Sequence, residues 1–452
     1  MFSKEEIILK KQKAKEMSDN KSLWMATASA PRFDKLDGDI KTDVLIIGGG
    51  MAGVLCAYML KEAGVDCILC ESDRIFSGVT GNTTAKITYQ HGLIYDSLIR
   101  RFGIETAALY LQAGRNAVDK YERLSKKILC DFEPCDSYVY SLSNRDKIER
   151  EVRALERLGA PAEFVESIEL PLKTTGAVCV KKQGQFHPLK FGYGIAAKLP
   201  IYENTRITEL VPGGAMTESG KITAEKIIVA THFPFINKHG AYFLKLYQHR
   251  SYVLALEGAE DVFGMYKDED EKGLSFRNYG KYLLLGGGSH RTGKRGGGWS
   301  ELVSVSNKLY PGAKPVYRWA TQDCMTLDGI PYIGRYSKRT TDLYVVTGFN
   351  KWGMTSSMVG ATVLSDLVQG KQSKYEGVFS PSRSIIHPQI ALNALESMIG
   401  LVTPIAPRCP HLGCALKYNR AEHSWDCPCH GSRFDEHGKL LDGPATDDKN
   451  KI

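Results

Sequence analysis

No stretch of eighteen apolar residues occurs in this 452-residue chain, which leaves no candidate for a membrane-crossing helix. The opening residues, M-F-S-K-E-E-I-I-L-K-K-Q-K-A-K-E, carry acids and bases throughout. They lack the apolar core of a secretory signal, and the expected compartment is the cytoplasm. Charge of one sign is also scarce. The 59 basic and 51 acidic residues leave a net charge of +8, which suits a solvated mixed surface and argues against nucleic acid as a partner. No internal repeat or low-complexity tract is evident. What remains is ordinary globular composition, 43% hydrophobic and 24% charged, with length for about two to three domains.

Cysteine is not scarce, and its placement is uneven. Of eleven cysteines, seven are scattered between Cys56 and Cys324, as expected of buried reduced thiols, and four cluster in the last tenth of the chain. There they alternate with histidine, in C-P-H-L-G-C (409–414) and C-P-C-H-G-S (427–432). Two Cys and two His suit a zinc site, and free thiols are a second plain reading. The joint pattern, with its Leu-Gly and Pro-x-His-Gly-Ser context, resembles the Rieske iron–sulfur family.

That resemblance implies a [2Fe–2S] cluster with Cys409 and Cys427 on one iron and His411 and His430 on the other. Neutral imidazoles donate less strongly than thiolates, so their iron is reduced more easily. The potential rises from about −400 mV for all-Cys plant-type clusters to roughly −150 to +300 mV. The resemblance further implies a disulfide between Cys414 and Cys429, unusual for the cytoplasm, and a hydroxyl donor to the cluster in Ser432. A full Rieske domain has more strands than this tail can hold. The tail is therefore expected to pack on the rest of the chain, or on a partner, for support.

Near the other end, residues 43–71 read D-V-L-I-I-G-G-G-M-A-G-V-L-C-A-Y-M-L-K-E-A-G-V-D-C-I-L-C-E. The apolar run Val44 to Ile47 suits a buried parallel strand. Gly48, Gly50 and Gly53 supply G-x-G-x-x-G, and the helical spacing from Met51 to Ala63 stops at Gly64. A second apolar run, Val65 to Cys70, closes on Glu71. Gly48 permits the tight turn, Gly50 lets backbone approach a pyrophosphate, and Gly53 allows helix to pack on strand. The helix N-terminus offers free N–H groups to the phosphates. Glu71 is placed for ribose hydroxyls, which disfavours NADP. A lone G-x-G-x-x-G is weak, but here strand, helix, strand and acid stand in register.

Three further segments select FAD: S-G-V-T-G-N-T-T-A-K-I-T (77–88), with Thr83, Thr84 and Ala85; A-E-K-I-I-V-A-T-H (224–232); and D-G-I-P-Y-I-G (328–334), with Gly334, followed by D-L-Y-V-V-T-G-F-N-K-W-G-M-T (342–355). Together they resemble the D-amino-acid oxidase/glycine oxidase (DAO) family of FAD-dependent oxidoreductases over roughly residues 40–370. The implied fold class is α/β: a Rossmann-like FAD-binding domain with an antiparallel-sheet substrate domain, plus a small all-β Rieske subdomain. In that family a strand-turn-helix, here Gly348 to Thr355, approaches the flavin ring. A helix from Gly353 to about Gln369 would aim its positive end at the ring, with Gly353, Met354 and Thr355 nearest.

The implied division is an N-terminal extension (1–40), the oxidoreductase (41–380), a linker (381–403) and the Rieske domain (404–452). FAD-binding parts fall at about 41–95, 170–235 and 320–372, and substrate parts at 96–169 and 236–319. Residues 95–160 read helical. Residues 236–300 alternate and suit a sheet over the flavin. Amino-acid oxidases clamp a carboxylate with Arg, so Arg250, Arg277 and Arg291 are candidates, with Tyr252 adding a hydroxyl. Each could equally be a strand charge. Trp352 could flank the ring or fill core. The basic loop 289–298 reads as a solvated hairpin or an anion-accepting lid. Hydride transfer needs geometry more than an acid–base pair, so no catalytic dyad is expected. In 385–402, Ile390, Ala394, Leu395, Met398 and Val402 share a helical face, expected to pack on core rather than on a membrane.

The expected function is an FAD-dependent oxidoreductase. It would move electrons from a small amine or amino acid through FAD to the cluster, and on to an unknown protein carrier or quinone. An oxidase using oxygen directly, with a structural or sensing cluster, is the alternative. A flavin-containing tRNA-modifying protein is a third, disfavoured by the low net charge.

Overall fold

The apolar run at Val44 ends the strand Ile40–Ile47, whose last four residues are all buried. It runs parallel to Cys67–Cys70 on one side and to Lys221–Val229 on the other. Leu343–Thr347 and Ile201–Tyr202 extend the sheet in parallel on either flank. Burial on both faces explains why these strands read as continuous apolar runs rather than as alternation. The helices Met51–Glu62 and Gly353–Val368 contribute Leu55, Met358 and Leu364 to the main core on this sheet. This computed structural model describes residues 21–449 apart from 237, 238, 385, 404 and 405. The charged N-terminal stretch read above lies outside the described residues.

A second sheet of nine strands is mainly antiparallel. At one side of it Lys314–Thr326 forms the edge, followed by Leu246–Glu257 and then Tyr282–Arg291. Tyr252, Leu254, Phe276 and Leu285 pack with Trp299 and Leu302 of the helix Gly298–Leu309. The all-helical reading of 95–160 is corrected here. Two helices, Tyr95–Ser125 and Arg145–Arg157, bracket the strand Glu133–Ser141. In that strand Val139 and Tyr140 are wholly buried. A β-branched residue and an aromatic fit a pleated surface, and that packing overrides the helical pattern around them.

Within the expected N-terminal extension, Leu23–Thr27 is a short helix. Its Trp24 is completely buried and donates from Nε1 to the Thr83 carbonyl at 2.6 Å. This segment is therefore part of the body and braces the 77–88 loop.

The C-terminal tail forms a four-stranded antiparallel sheet from Lys417–Asn419, Ser424–Asp426, Arg433–Asp435 and Leu440–Asp442. Its buried cluster consists of Leu416, Phe434, Ala445 and four cysteines. Leu416 and Phe434 contribute only about 1.5–3 kcal/mol each, far less than the cost of ordering the segment. The tail leans on the body for the remainder.

The helix Pro388–Val402 corrects another expectation. Its apolar face is not core: Met398 is 56% and Val402 78% exposed, and Leu395 is also exposed. The helix instead packs through Asn393 and Gly400. A Cβ on Gly400 would lie 2.6 Å from the Cys429 sulfur, so only glycine admits that approach. Among the described residues no helix is long and apolar enough to cross a membrane.

Candidate functional site

Gly48 follows the central strand directly, at the carboxyl ends of its parallel neighbours, where the strand order diverges to either side. Open α/β sheets bind ligands at such a point. The turn is built for glycine. Gly48 has φ +110°, and a Cβ there would meet the Ala230 carbonyl oxygen at 2.6 Å. A Cβ on Gly53 would lie 1.9 Å from the Gly48 oxygen, so that glycine sets the helix against the strand end. Gly50 is open: its nearest neighbour, Thr80 Oγ1, is 3.6 Å away, leaving room for a phosphate on the backbone. Glu71 accepts from Gly49 N at 2.6 Å and Asp73 N at 2.9 Å, which fixes its carboxylate at the rim.

These residues open into a cavity of about 800 Å³. Gly48, Gly50, Glu71, Thr83 and Thr84 line it, as do Trp352, Gly353 and Met354. The donor-rich turn, the open Gly50 and the uncapped start of Gly353–Val368 fit FAD. Other expected contacts lie behind this wall. Thr355 is buried and donates to the Thr88 carbonyl at 2.6 Å, tying its helix to the 77–88 loop. Ala85, at φ +55°, offers its carbonyl to Arg277 at 2.7 Å. Gly348, at φ +73°, turns the strand end against Thr326, and Gly334 packs near Pro381. Trp352 stacks on His91 with ring centroids 5.2 Å apart.

Of the four substrate candidates only Tyr252 lines the cavity. Its hydroxyl is paired with His290 Nε2 at 3.1 Å. The three arginines do not line it. Arg277 is buried and donates to Ala85. Arg291 donates to Asn393 of the linker helix at 3.1 Å. Arg250 pairs with Glu422 of the tail in a fork, with Nε to Oε1 at 3.0 Å. Sequence reasoning treated each strand charge alone and could not see partners 172 residues away.

Three further polar groups of the cavity, Lys267, Lys86 and Asp323, are ones that sequence reasoning missed. Lys267 donates to the carbonyls of Asp268 and Asp270, both at 2.9 Å, and burial lowers its pKa to about 8. Lys86 is held by Ser275, and burial, then Arg277 and Lys267, lower it to about 7. Asp323 also faces the cavity. Burial raises its carboxyl to about 6, against the pull of Lys351 and Arg250.

The loop 289–298 is neither a lid nor a free hairpin. A Cβ on Gly293 would sit 2.7 Å from Pro428, and Lys294 pairs with Glu396 at 2.7 Å. The loop is clamped against the tail.

In the tail, two turns of the same geometry carry the Cys and His residues. Gly413 N donates to the Cys409 carbonyl, and Gly431 N to the Cys427 carbonyl, each at 2.9 Å. Both glycines have left-handed φ, +76° and +87°. Cys409 N reaches the Cys414 carbonyl, and Cys427 N the Ser432 carbonyl, each at 2.8 Å. These turns bring His411 and His430 together, ring centroids 4.9 Å apart. The Cys427 sulfur lies with those of Cys414 and Cys429 inside 4.8 Å and within hydrogen-bond reach of Cys409. Ser432 reaches the Cys409 sulfur.

The expected Cys414–Cys429 disulfide is not formed: all eleven cysteines are free thiols. The two sulfurs share their space with that of Cys427, all three lying within 4.8 Å of one another, rather than standing as a bonded pair. Both ring nitrogens of buried His430 lack a well-formed hydrogen bond, with the Phe243 backbone only marginally placed. A buried imidazole left this way fits a metal ligand. Four cysteines in one buried cluster, on the same two turns as a close pair of imidazoles, offer the mixed donor set of a [2Fe–2S] centre.

Residues 43–367 match the family model described as FAD dependent oxidoreductase (DAO), and residues 388–451 match the Rieske [2Fe-2S] domain. A protein of Bacillus subtilis (strain 168) named for a Rieske 2Fe-2S centre, YhfW, is 34% identical over 93% of this chain and 95% of its own. Gamma-glutamylputrescine oxidoreductase of Escherichia coli (strain K12) is 26% identical over 80% of this chain and 92% of its own. The structure of glycine oxidase from Geobacillus kaustophilus superposes with TM-score 0.65 at 20% identity, over 76% of this chain and 99% of that one.

Proposed function

The chain belongs to the FAD-dependent oxidoreductase (DAO) family and carries a Rieske [2Fe-2S] domain, and from that premise we propose that it oxidises a small amine or amino acid and passes the electrons internally from FAD to the cluster. The relatives' names, a gamma-glutamylputrescine oxidoreductase and a glycine oxidase, support that substrate class. One observation carries the internal route: Gly443, Pro444 and Ala445 of the tail line the same cavity as the dinucleotide turn. The cluster-bearing unit is a wall of the flavin site, not an appendage on a linker.

When bound, FAD supplies a two-electron hydride acceptor and the cluster a one-electron carrier. The chain's own residues set the conditions. Gly48, Gly50 and the start of Met51–Glu62 receive the pyrophosphate, and Glu71 faces the ribose. The start of Gly353–Val368 places partial positive charge where the reduced ring gathers negative charge. Trp352, held by His91, closes one side against water. Lys267, Lys351 and Asp323 orient the substrate's polar end. Cys409, Cys427, His411 and His430 are the proposed iron ligands. Electrons leave toward a protein carrier or a quinone.

Anaerobic titration with a panel of amines and amino acids tests this. A substrate should bleach flavin and cluster together, and His411→Ala should keep flavin reduction while losing the cluster signal. Stoichiometric peroxide from that variant, at the rate of the unmodified protein, would favour direct use of oxygen instead.

A further inference from the structure

Two glutamines on adjacent strands hold the cluster loop to the body. Gln322 donates to the Gly431 carbonyl at 2.8 Å, and Thr292 donates to its Oε1 at 2.9 Å. Gln248 does more. It is 2% exposed, and its amide is fixed from both ends. Its Oε1 faces His232 Nε2 at 3.1 Å, and its Nε2 donates to the His430 carbonyl at 2.8 Å. The Gly443 carbonyl lies 3.5 Å from the same Nε2.

The ends of this link fall in different places. His232 and Gly443 line the flavin cavity, whereas His430 belongs to the cluster loop. Gln248 itself does not line the cavity. Burial lowers the pKa of His232 more than Asp442 raises it, which keeps the ring neutral with a proton for Gln248. The fit leaves no slack, since a Cβ on Gly431 would lie 2.6 Å from Gln248 Nε2.

Resting on the electron route proposed above, we propose that Gln248 is the positioning residue that sets the rate of electron passage from flavin to cluster, by hydrogen-bonding the cavity wall at His232 to the cluster loop at His430. In each passage the reduced flavin loses one electron and one ferric iron becomes ferrous. The flavin's proton goes to cavity water, and no bond to the protein forms or breaks.

The test uses the full-length holoenzyme under anaerobic conditions, with electrons placed on the flavin by light and EDTA as donor. Cluster bleaching is followed in time, and the reduced cluster is recorded by electron paramagnetic resonance. Gln248→Glu keeps the side chain's shape but removes its N–H donors, and Gln248→Ala removes the link. Both should slow cluster reduction roughly 10- to 100-fold, the usual cost of losing an outer partner of a metal ligand. Iron content and the rate of flavin photoreduction should hold. Should either variant release the tail to protease, His232→Phe breaks the link from the cavity side without altering a tail residue, and the same slowing is expected. Cluster reduction at the unmodified rate in the intact variants overturns the inference alone. An unmodified protein whose flavin never reduces its cluster overturns both the inference and the electron route.

Discussion

The body and the tail of this molecule are held by opposite means. The body has a large apolar core that runs through the parallel sheet and its helices. The tail's buried cluster is small and mostly cysteine. What it has in place of apolar mass is charge. Arg250 of the body and Arg433 of the tail converge on Glu422, and Arg433 also meets Asp426 at 3.0 Å and Asp442 at 2.9 Å. The side chains of Arg250, Glu422, Arg433 and Asp426 are all nearly buried. Removing one member would strand its partners in a medium that solvates them poorly. A core can lose one residue and remain a core, whereas a buried ion network fails as a unit. The tail's docking should therefore be more brittle than the body's fold.

The largest effect should come from the body's tightest contact. Gly53→Val places side-chain atoms on the Gly48 oxygen, and the purified variant should carry no FAD. A yellow preparation at full flavin occupancy would show that the turn tolerates displacement. Next, His411→Ala should abolish iron binding and loosen the tail while the body keeps its flavin, read by iron analysis and limited proteolysis. Third, Arg250→Met leaves Glu422 buried without one of its two cations. Docking should weaken by about 3–5 kcal/mol, seen as an early urea transition confined to the tail. A single unchanged transition would erase the distinction between the two regions.

A smaller effect follows from acidity. Burial pushes the Glu422 carboxyl up, but Arg250 and Arg433 outweigh it and hold it at about 2, below its ordinary 4.5. A depressed folded-state value means that its stabilisation is complete above 4.5 and is lost as pH falls toward 2. Tail release should therefore grow across that window, and Glu422→Gln should flatten the profile. Smallest of all, Met398→Ser on the exposed face of the linker helix should change stability by only about 0.5 kcal/mol or less, because that side chain covers no core of this chain.

The two Cys–His turns were legible in sequence because each closes on itself. A Cys carbonyl caught by a glycine amide four residues on is a local geometry, and it leaves a local spelling. The dinucleotide turn was legible for the same reason, as were the parallel strands, whose burial on both faces writes an apolar run. Substrate contacts left no such spelling. Arg250, Arg277 and Arg291 were sensible choices on composition, yet their partners are Glu422, Ala85 and Asn393. Lys267 and Asp323, which do face the cavity, stand in segments with no motif, and Lys86 stands in the 77–88 segment beside the residues chosen there.

Sequence alone thus determined two cofactor chemistries and their order along the chain, since both sites are built from short turns whose φ angles and donor atoms are set by neighbours in the chain. Tertiary structure alone decided where they meet. It set the tail's 439–446 segment as a wall of the cavity at the dinucleotide turn, gave Arg250 and Arg291 to the tail and its linker helix, and tied Gln248 to His232 on one side and His430 on the other. Those outcomes depend on strands laid side by side from distant parts of the chain, and one-dimensional spacing does not encode which of their side chains will face each other.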